Sequence, residues 1–444
     1  MRLKILALST ALMAVNALAA DAAELTAGAA TLTLSVEECR RRALATDEDI
    51  KKSDYDIESA AMDLEVAKRS FYPTLDGMGL LEYITPDMEF SGIELQMRGL
   101  YAAGLSITQP IYTGGKLTAG KKLAQIGTEA AQQKLRLSRA QIISNADNAY
   151  WTLVAVDGKV EMLRSYVRQM DTLYSQTERA VEIGMTTRSD LLRIEARRTE
   201  IEYNLKKALN GRDLCRLALC RVIGVDFSTE ITPSDTDIAV TEPAMMDNDI
   251  SARPELELLN LAINANKQQV KMAKADYLPT VGLGLGYYRY GNIKTVGSYQ
   301  TADGGVMKYS ENTNKGLGAA MLSVSIPIFN WGITGKKVNK AKIDLAKSQL
   351  DLDKNRRMLT LEAQQAINNV ADGYDLVKSA QIALAQAEDN LASVEARYKV
   401  AMCPIIDLLD AQSQWQQSKS NLLEARAQYQ IYQTEYLRTT GRLD

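Results

Sequence analysis

Apolar and small residues recur along two long stretches of this chain at alternating steps of four and three. The first passes through Ile142, Ala146, Ala149, Leu153, Val156, Val160, Leu163, Val167, Met170, Tyr174 and Val181, with Thr177 in its one polar place. The second passes through Leu359, Ala363, Ala366, Val370, Gly373, Val377, Ala380, Leu384, Ala387, Leu391, Val394 and Tyr398. A 3.5-residue period sustained over such lengths is a coiled-coil seam. The intervening positions are mostly Lys, Arg, Gln, Asp and Glu, as a water-facing surface requires. No proline interrupts residues 117–183, so the spacing predicts one helix there, roughly 100 Å long at 1.5 Å per residue. A break at Gly184-Met185-Thr186-Thr187 precedes a shorter helix over 189–222. The second stretch repeats the order: a helix over 335–400, a break at Ala401-Met402-Cys403-Pro404, and a helix over 405–440. Each long helix must fold back on its shorter neighbour as an antiparallel pair.

Elsewhere the period changes to two. "TVGLGLGYYRY" (280–290) alternates Val281, Leu283, Leu285 and Tyr287 with glycine, and "MLSVSIPIF" (321–329) alternates Leu322, Val324 and Ile326 with small polar residues. "GLSITQP" (104–110) and "TLDGMGLLEY" (74–83) do the same. These are strands with one apolar face, expected over about 74–84, 100–109, 280–290 and 317–327. Tyr83, Tyr101, Tyr112, Tyr287, Tyr288, Tyr290, Phe329 and Trp331 gather in these segments and at their ends. That is the distribution of an aromatic girdle at a membrane boundary. Strands of roughly ten residues can cross an outer membrane, but four cannot close a barrel, and lipid tolerates no open sheet edge. The chain must then associate with copies of itself, unless the strands never enter a membrane. Residues 292–316 read as an extracellular loop.

The two sets of elements are copies of one unit. At an offset of 217 residues, Pro110-Ile111 matches Pro327-Ile328, Gly115 matches Gly332, and Asp190-Leu191-Leu192 matches Asp407-Leu408-Leu409. Upstream, "AKRSFYPT" (67–74) matches "AKADYLPT" (273–280). The division expected is a first repeat over 21–230, a linker over 231–252 and a second repeat over 253–444, each repeat ordered helix, strand, loop, strand, long helix, shorter helix.

Residues 1–20 read as an export signal: Arg2 and Lys4, an apolar run from Ile5, then Ala17-Leu18-Ala19 as a cleavage site. Without them the net charge moves from -3 to about -5, a poor balance for nucleic-acid binding. No later stretch has the apolar length of a membrane helix. The chain contains no histidine, which removes the commonest general base and metal ligand, so neither catalysis nor a cofactor is expected. Cys215 and Cys220 lie about 8 Å apart on a helix, too far to bridge, and the thiols, with Cys39 and Cys403, read as mostly free. "GKLTAGKK" (115–122) approaches a phosphate-binding loop but puts Lys122 where a magnesium-binding hydroxyl belongs. It reads instead as a corner: Pro110 ends a strand, Gly114 and Gly115 take the bend, and lysines open a helix. Pro327 and Gly332 mark the same barrel-to-tunnel corner in the second copy.

Together, the duplicated P-I-[YF]-x-x-G corner and the duplicated helix-break-"DLL" segments resemble the TolC family of outer-membrane efflux and secretion channels. The resemblance spans the whole mature chain. It implies a mainly α fold with a membrane β-barrel part. Three chains would pool four strands each into a twelve-stranded barrel, continued by an α-helical periplasmic tunnel. It implies outer-membrane localisation, a homotrimer and contact with outer-membrane lipid. It also implies a periplasmic adaptor, an inner-membrane pump and a role as passive exit duct. By resemblance, Gly184, Met185, Ala401 and Met402 lie at tips where the adaptor docks, although the family's tip glycine is Ala401 in the second copy. Asp407 and Asp410 fall where the family carries acidic rings at the tunnel entrance, and Asp190 and Tyr398 in a bond network holding it shut. Cys403 replaces that network's arginine. On the residues alone, Asp407 and Asp410 equally suit the start of a helix, where Asp is favoured anyway. The alternative to a duct is a periplasmic coiled-coil structural or adaptor protein without a pore.

Overall fold

The computed structural model describes residues 31–443 apart from Gly92, Thr236, Asp237 and Ala401. The expected export signal lies outside the described residues. The chain forms two compact units, each assembled from separate segments of the sequence.

The first unit comprises the chain through Ser53, Leu135–Leu256 and the chain from Asn355. A short strand β1 (Thr31–Leu34) leads into α1 (Val36–Thr46), whose first turn is capped by Ser35 accepting the Glu38 amide at 3.3 Å. After α2 (Glu48–Arg69), the long helix α3 (Lys116–Glu182) turns into α4 (Arg188–Ile223). Strand β6 (Glu230–Pro233) pairs in parallel with β1. Helix α5 (Pro254–Ala275) is followed, beyond the second pair of strands, by the long α6 (Ile333–Lys399) and then α7 (Ile405–Thr439).

Every position of both seams is buried or half-buried. Their 3.5-residue period therefore marks the packed stripes of α3 and α6. Val370, Val377 and Leu384 of α6 pack with Leu422 and Tyr429 of α7. Helix α3 buries a second stripe: Tyr150, Trp151 and Val154 meet Leu219, Cys220 and Ile223 of α4 and Leu34 of β1. Asp147 is fully buried and answered by Arg40 at 2.6 and 2.5 Å and by the Thr434 hydroxyl at 2.5 Å. An unpaired charge there would be costly.

The expected linker is no free tether. It opens with β6, buries Ile231, Ile238 and Ile250, and lies on α7, where Gln430 and Tyr429 donate to the Ala239 and Thr241 carbonyls at 2.8 and 2.7 Å. All four cysteines are free thiols, and burial pushes that of Cys39 up to about 12.

The second unit comprises Asp54–Lys134 and Glu257–Lys354. Its antiparallel sheet contains β2 (Thr74–Tyr83), β3 (Met88–Phe90), β4 (Ile93–Gln96), β5 (Arg98–Thr113), β7 (Thr280–Gln300) and β8 (Val306–Ser325). Its main order is β2-β5-β7-β8, and β4 pairs with the far part of β7. Rows of apolar side chains run across it: Leu75 beside Ile107 beside Leu285, and Leu283 beside Leu322. This face is open, with Leu75 66%, Leu105 58% and Leu322 65% exposed. Burying a side chain of this size stabilises by about 1.5–3 kcal/mol, so the face demands a nonpolar surround.

Two expectations are corrected here. Residues 292–316 are not a loop for most of their length. β7 and β8 stay paired from Ile293↔Thr313 to Gln300↔Val306, leaving only a tight turn at 301–305. Nor does Pro110 end its strand. β5 continues to Thr113 past a bulge between Pro110 and Tyr112. β2 has finished pairing at Thr108, and the bulge accommodates a residue that lacks a ladder donor.

Candidate functional site: the two helix breaks

Helix α3 ends because Gly184 takes a left-handed conformation, φ +75°, that other residues pay for. The Met185 amide then reaches back to the Ala180 carbonyl at 2.8 Å, and that of Gly184 to Val181 at 3.0 Å. Met185 is left 78% exposed. Helix α4 begins at once with an N-cap at Thr187. Thr187 Oγ1 accepts the Asp190 amide at 3.2 Å, while the Asp190 carboxylate accepts the hydroxyls of Thr187 at 2.8 Å and Thr186 at 3.2 Å. The Thr187 hydroxyl, against the opposing effect of slight burial, holds the Asp190 carboxyl below its ordinary range.

The second break repeats this turn with different chemistry. The Met402 amide bonds the Arg397 carbonyl at 2.8 Å, in register with Met185 on Ala180. Met402 is 76% exposed. Ala401 lies outside the described residues. At the head of α7 the cap position is Pro404, which offers no side-chain bond. Ile405 and Leu408 are buried, which turns Asp407 and Asp410 outward, one turn apart on one face. Among the described residues neither carboxylate has a hydrogen-bond or ion-pair partner.

The two breaks meet in a common core. Leu173 and Ile194 pack with Val394, Ile405 and Leu408, and Tyr398 and Cys403 lie against them. The Cys403 thiol points to the Val394 carbonyl at 3.6 Å. A cavity of about 740 Å³ opens beside this core and is lined by Met185, Asp190, Tyr398, Cys403 and Gln412 among others. Asp190 and Tyr398 thus share one cavity, but the described bonds of Asp190 go to Thr186 and Thr187. Reading for a bond network passed over these threonines, although Thr187-Arg188-Ser189-Asp190 is a capping signature in the sequence. Gln412, also unforeseen, is buried, with its Oε1 unpartnered on the cavity wall. No sequence pattern marks it.

The corners lie in the second unit. Gly114 and Gly115 both adopt positive φ, +62° and +82°. A Cβ on Gly114 would stand 2.7 Å from the Ala275 carbonyl oxygen. In the second corner β8 stops at Ser325, before Pro327. Trp331, at φ +52°, and Gly332, at φ +77°, make the same bend. The phosphate-loop look-alike is therefore a strand-to-helix turn, and the second copy makes the same turn without that spacing.

A family model for outer membrane efflux proteins matches residues 39–225 and 247–442. The outer membrane protein TolC of Escherichia coli (strain K12) is 24% identical over 420 residues, 91% of this chain and 81% of that protein. The alkaline protease secretion protein AprF of Pseudomonas aeruginosa is 22% identical over 337 residues, 74% of this chain and 67% of its own. Among solved structures, CusC superposes with a TM-score of 0.76 at 17% identity, covering 94% of this chain and 95% of that one.

Proposed function

We propose, because the chain belongs to the outer membrane efflux protein family, that it is the outer-membrane exit duct of an efflux or type I secretion assembly. Three chains join β2 of one to β8 of the next, pooling their sheets into a twelve-stranded barrel. The paired long helices carry the passage into the periplasm. The duct is passive: an inner-membrane pump supplies the energy, and a periplasmic adaptor docks at the breaks around Gly184, Met185, Ala401 and Met402.

One observation carries this reading above all. The sheet bears an exposed apolar face and leaves β2 and β8 each paired on one side only. Lipid satisfies the face and closure satisfies the edges. A periplasmic structural protein without a pore would leave both unexplained.

At the entrance, Asp407 and Asp410 of three chains form an acidic ring. Like charges held around a narrow axis attract cations and repel anions, and their freedom from partners suits that role. Asp190 and Tyr398 contribute to closing the entrance through the cavity they share. The test is planar-bilayer conductance of the detergent-purified protein beside the Asp407→Ala/Asp410→Ala double variant. Discrete steps with a cation preference that weakens in the variant are expected. Steps of unchanged selectivity would remove the ring from the entrance. A protein soluble without detergent and giving no steps would end the duct reading.

A further inference from the structure

At the first corner, α3 and α5 flank an open cavity of about 410 Å³, lined by Gly115, Thr118 and Lys122 on one side and by Gln268, Lys271 and Lys274 on the other. Its charge is one-sided. Lys116 and Lys337 both reach Asp276, at 3.1 and 4.0 Å, but Lys122, Lys271 and Lys274 have no carboxylate partner among the described residues. Nor does the helix supply one. The first turn of α3 holds no acidic residue, and the chain meets its first acid there only at Glu129. The C-terminal end of α5 favours cations such as Lys274, but among the described residues no carboxylate neutralises the three lysines. Gln268 adds a buried Oε1 without a partner, an acceptor open to a donor.

The turn itself does not require these lysines. Asn339 of the second repeat and Glu65 and Lys68 of the first stand at the positions equivalent to Lys122, Lys271 and Lys274, and the same bend forms at the second corner. Next to the cavity in the chain stand exposed apolar side chains: Ile111 and Tyr112 before α3, Tyr277 and Leu278 after α5. A soluble anion has no use for them. We propose that this cavity holds the headgroup of a phospholipid from the periplasm-facing leaflet. Its phosphate would lie among Lys122, Lys271 and Lys274, a headgroup hydroxyl or ammonium would donate to Gln268, and its chains would run along the apolar side chains. Lysines beside a membrane surface attract anionic lipid in this way.

The inference rests on the membrane placement proposed above. It is tested by native mass spectrometry of the delipidated full chain in detergent, titrated with phosphatidylglycerol, dioleoylglycerol or inorganic phosphate. Wild type should retain phosphatidylglycerol. Lys122→Gln/Lys271→Gln/Lys274→Gln should weaken retention at least about tenfold, and the triple arginine variant should restore it. Equal retention by the glutamine variant, or equal retention of dioleoylglycerol, would overturn the site. Inorganic phosphate bound as tightly as the lipid would overturn the lipid assignment. Bilayer conductance of the same preparations separates the two readings: steps with unchanged lipid retention sink only this site, whereas a chain that needs no detergent and gives no steps sinks the duct.

Discussion

The helix breaks at Met185 and at Met402 stand in register, close with the same backward hydrogen bond, and differ in how one aspartate is held. Asp190 and Asp407 occupy equivalent positions. The first is held by two threonines; the second follows Cys403 and Pro404, which offer it nothing. The corners show the same divergence, since glycine at 114 has tryptophan as its counterpart at 331, both in the left-handed region. One backbone path thus tolerates two side-chain solutions. At each pair one copy is relaxed by local bonding or by glycine, while the other carries an unpaired or strained residue. In the proposed acidic ring, a free carboxylate has value that a capped one lacks.

The largest test is at the first corner. Gly114→Ala should cost about 3 kcal/mol, from the left-handed backbone and from overpacking against Ala275 together. The readout is the midpoint of thermal inactivation. Gly115→Ala, whose Cβ meets nothing within 4 Å, should cost less. Equal costs would show that crowding is not what fixes Gly114. Trp331→Gly should move the other way, gaining about 1 kcal/mol as strain is relieved.

Next in size, Thr187→Ala should remove about 1 kcal/mol of helix stability, read as faster hydrogen exchange at the Asp190 and Leu191 amides. The reverse graft, Pro404→Thr, should slow exchange at the head of α7 and engage Asp407. Cation preference in the bilayer should then fall. Unchanged selectivity would mean that freedom of Asp407 is irrelevant to conduction.

The smallest effect is a pH dependence. Because its folded-state pKa is depressed, Asp190 contributes stability that is present above the ordinary aspartate value, about 3.9. That stability is lost as pH falls through the lowered value. Exchange protection at the start of α4 should therefore weaken below about pH 4 in wild type and stay flat in Asp190→Asn. Parallel profiles would assign the acid response to another group.

How much of this was legible follows from what each residue faces. The seams could be read because burial on one stripe forces a period, and each seam position does meet a neighbour. The far half of the β7-β8 ribbon could not. "NIKTVGSYQ" and "VMKYSENTN" carry no sustained apolar alternation, because neither face of that ribbon is consistently covered. Local covers do exist, such as the Tyr309 ring over Gly297, but one pair makes no period. Pro110 misled for a related reason: the rule that proline ends a strand presumes a partner on both sides, and β2 stops short of it. At the breaks, the turn was visible in Gly184 and the cap in the Thr187-to-Asp190 spacing. The bonds of Asp190 to Thr186 and Thr187 were not anticipated, because spacing alone does not rank a local hydroxyl against a distant tyrosine.

The half-paired strands β2 and β8 bear on how the protein comes to exist at all. A lone chain with an open apolar face and two free edges invites mispairing. In the proposed trimer, folding of the sheet and meeting of chains become one event. Its rate then depends on how many chains are present, and its stability cannot be stated without that number. Dilution should act on this protein as a denaturant does on others. A chain with a damaged edge should spoil the intact chains it joins, so harm from a partial defect should spread beyond the share of defective chains.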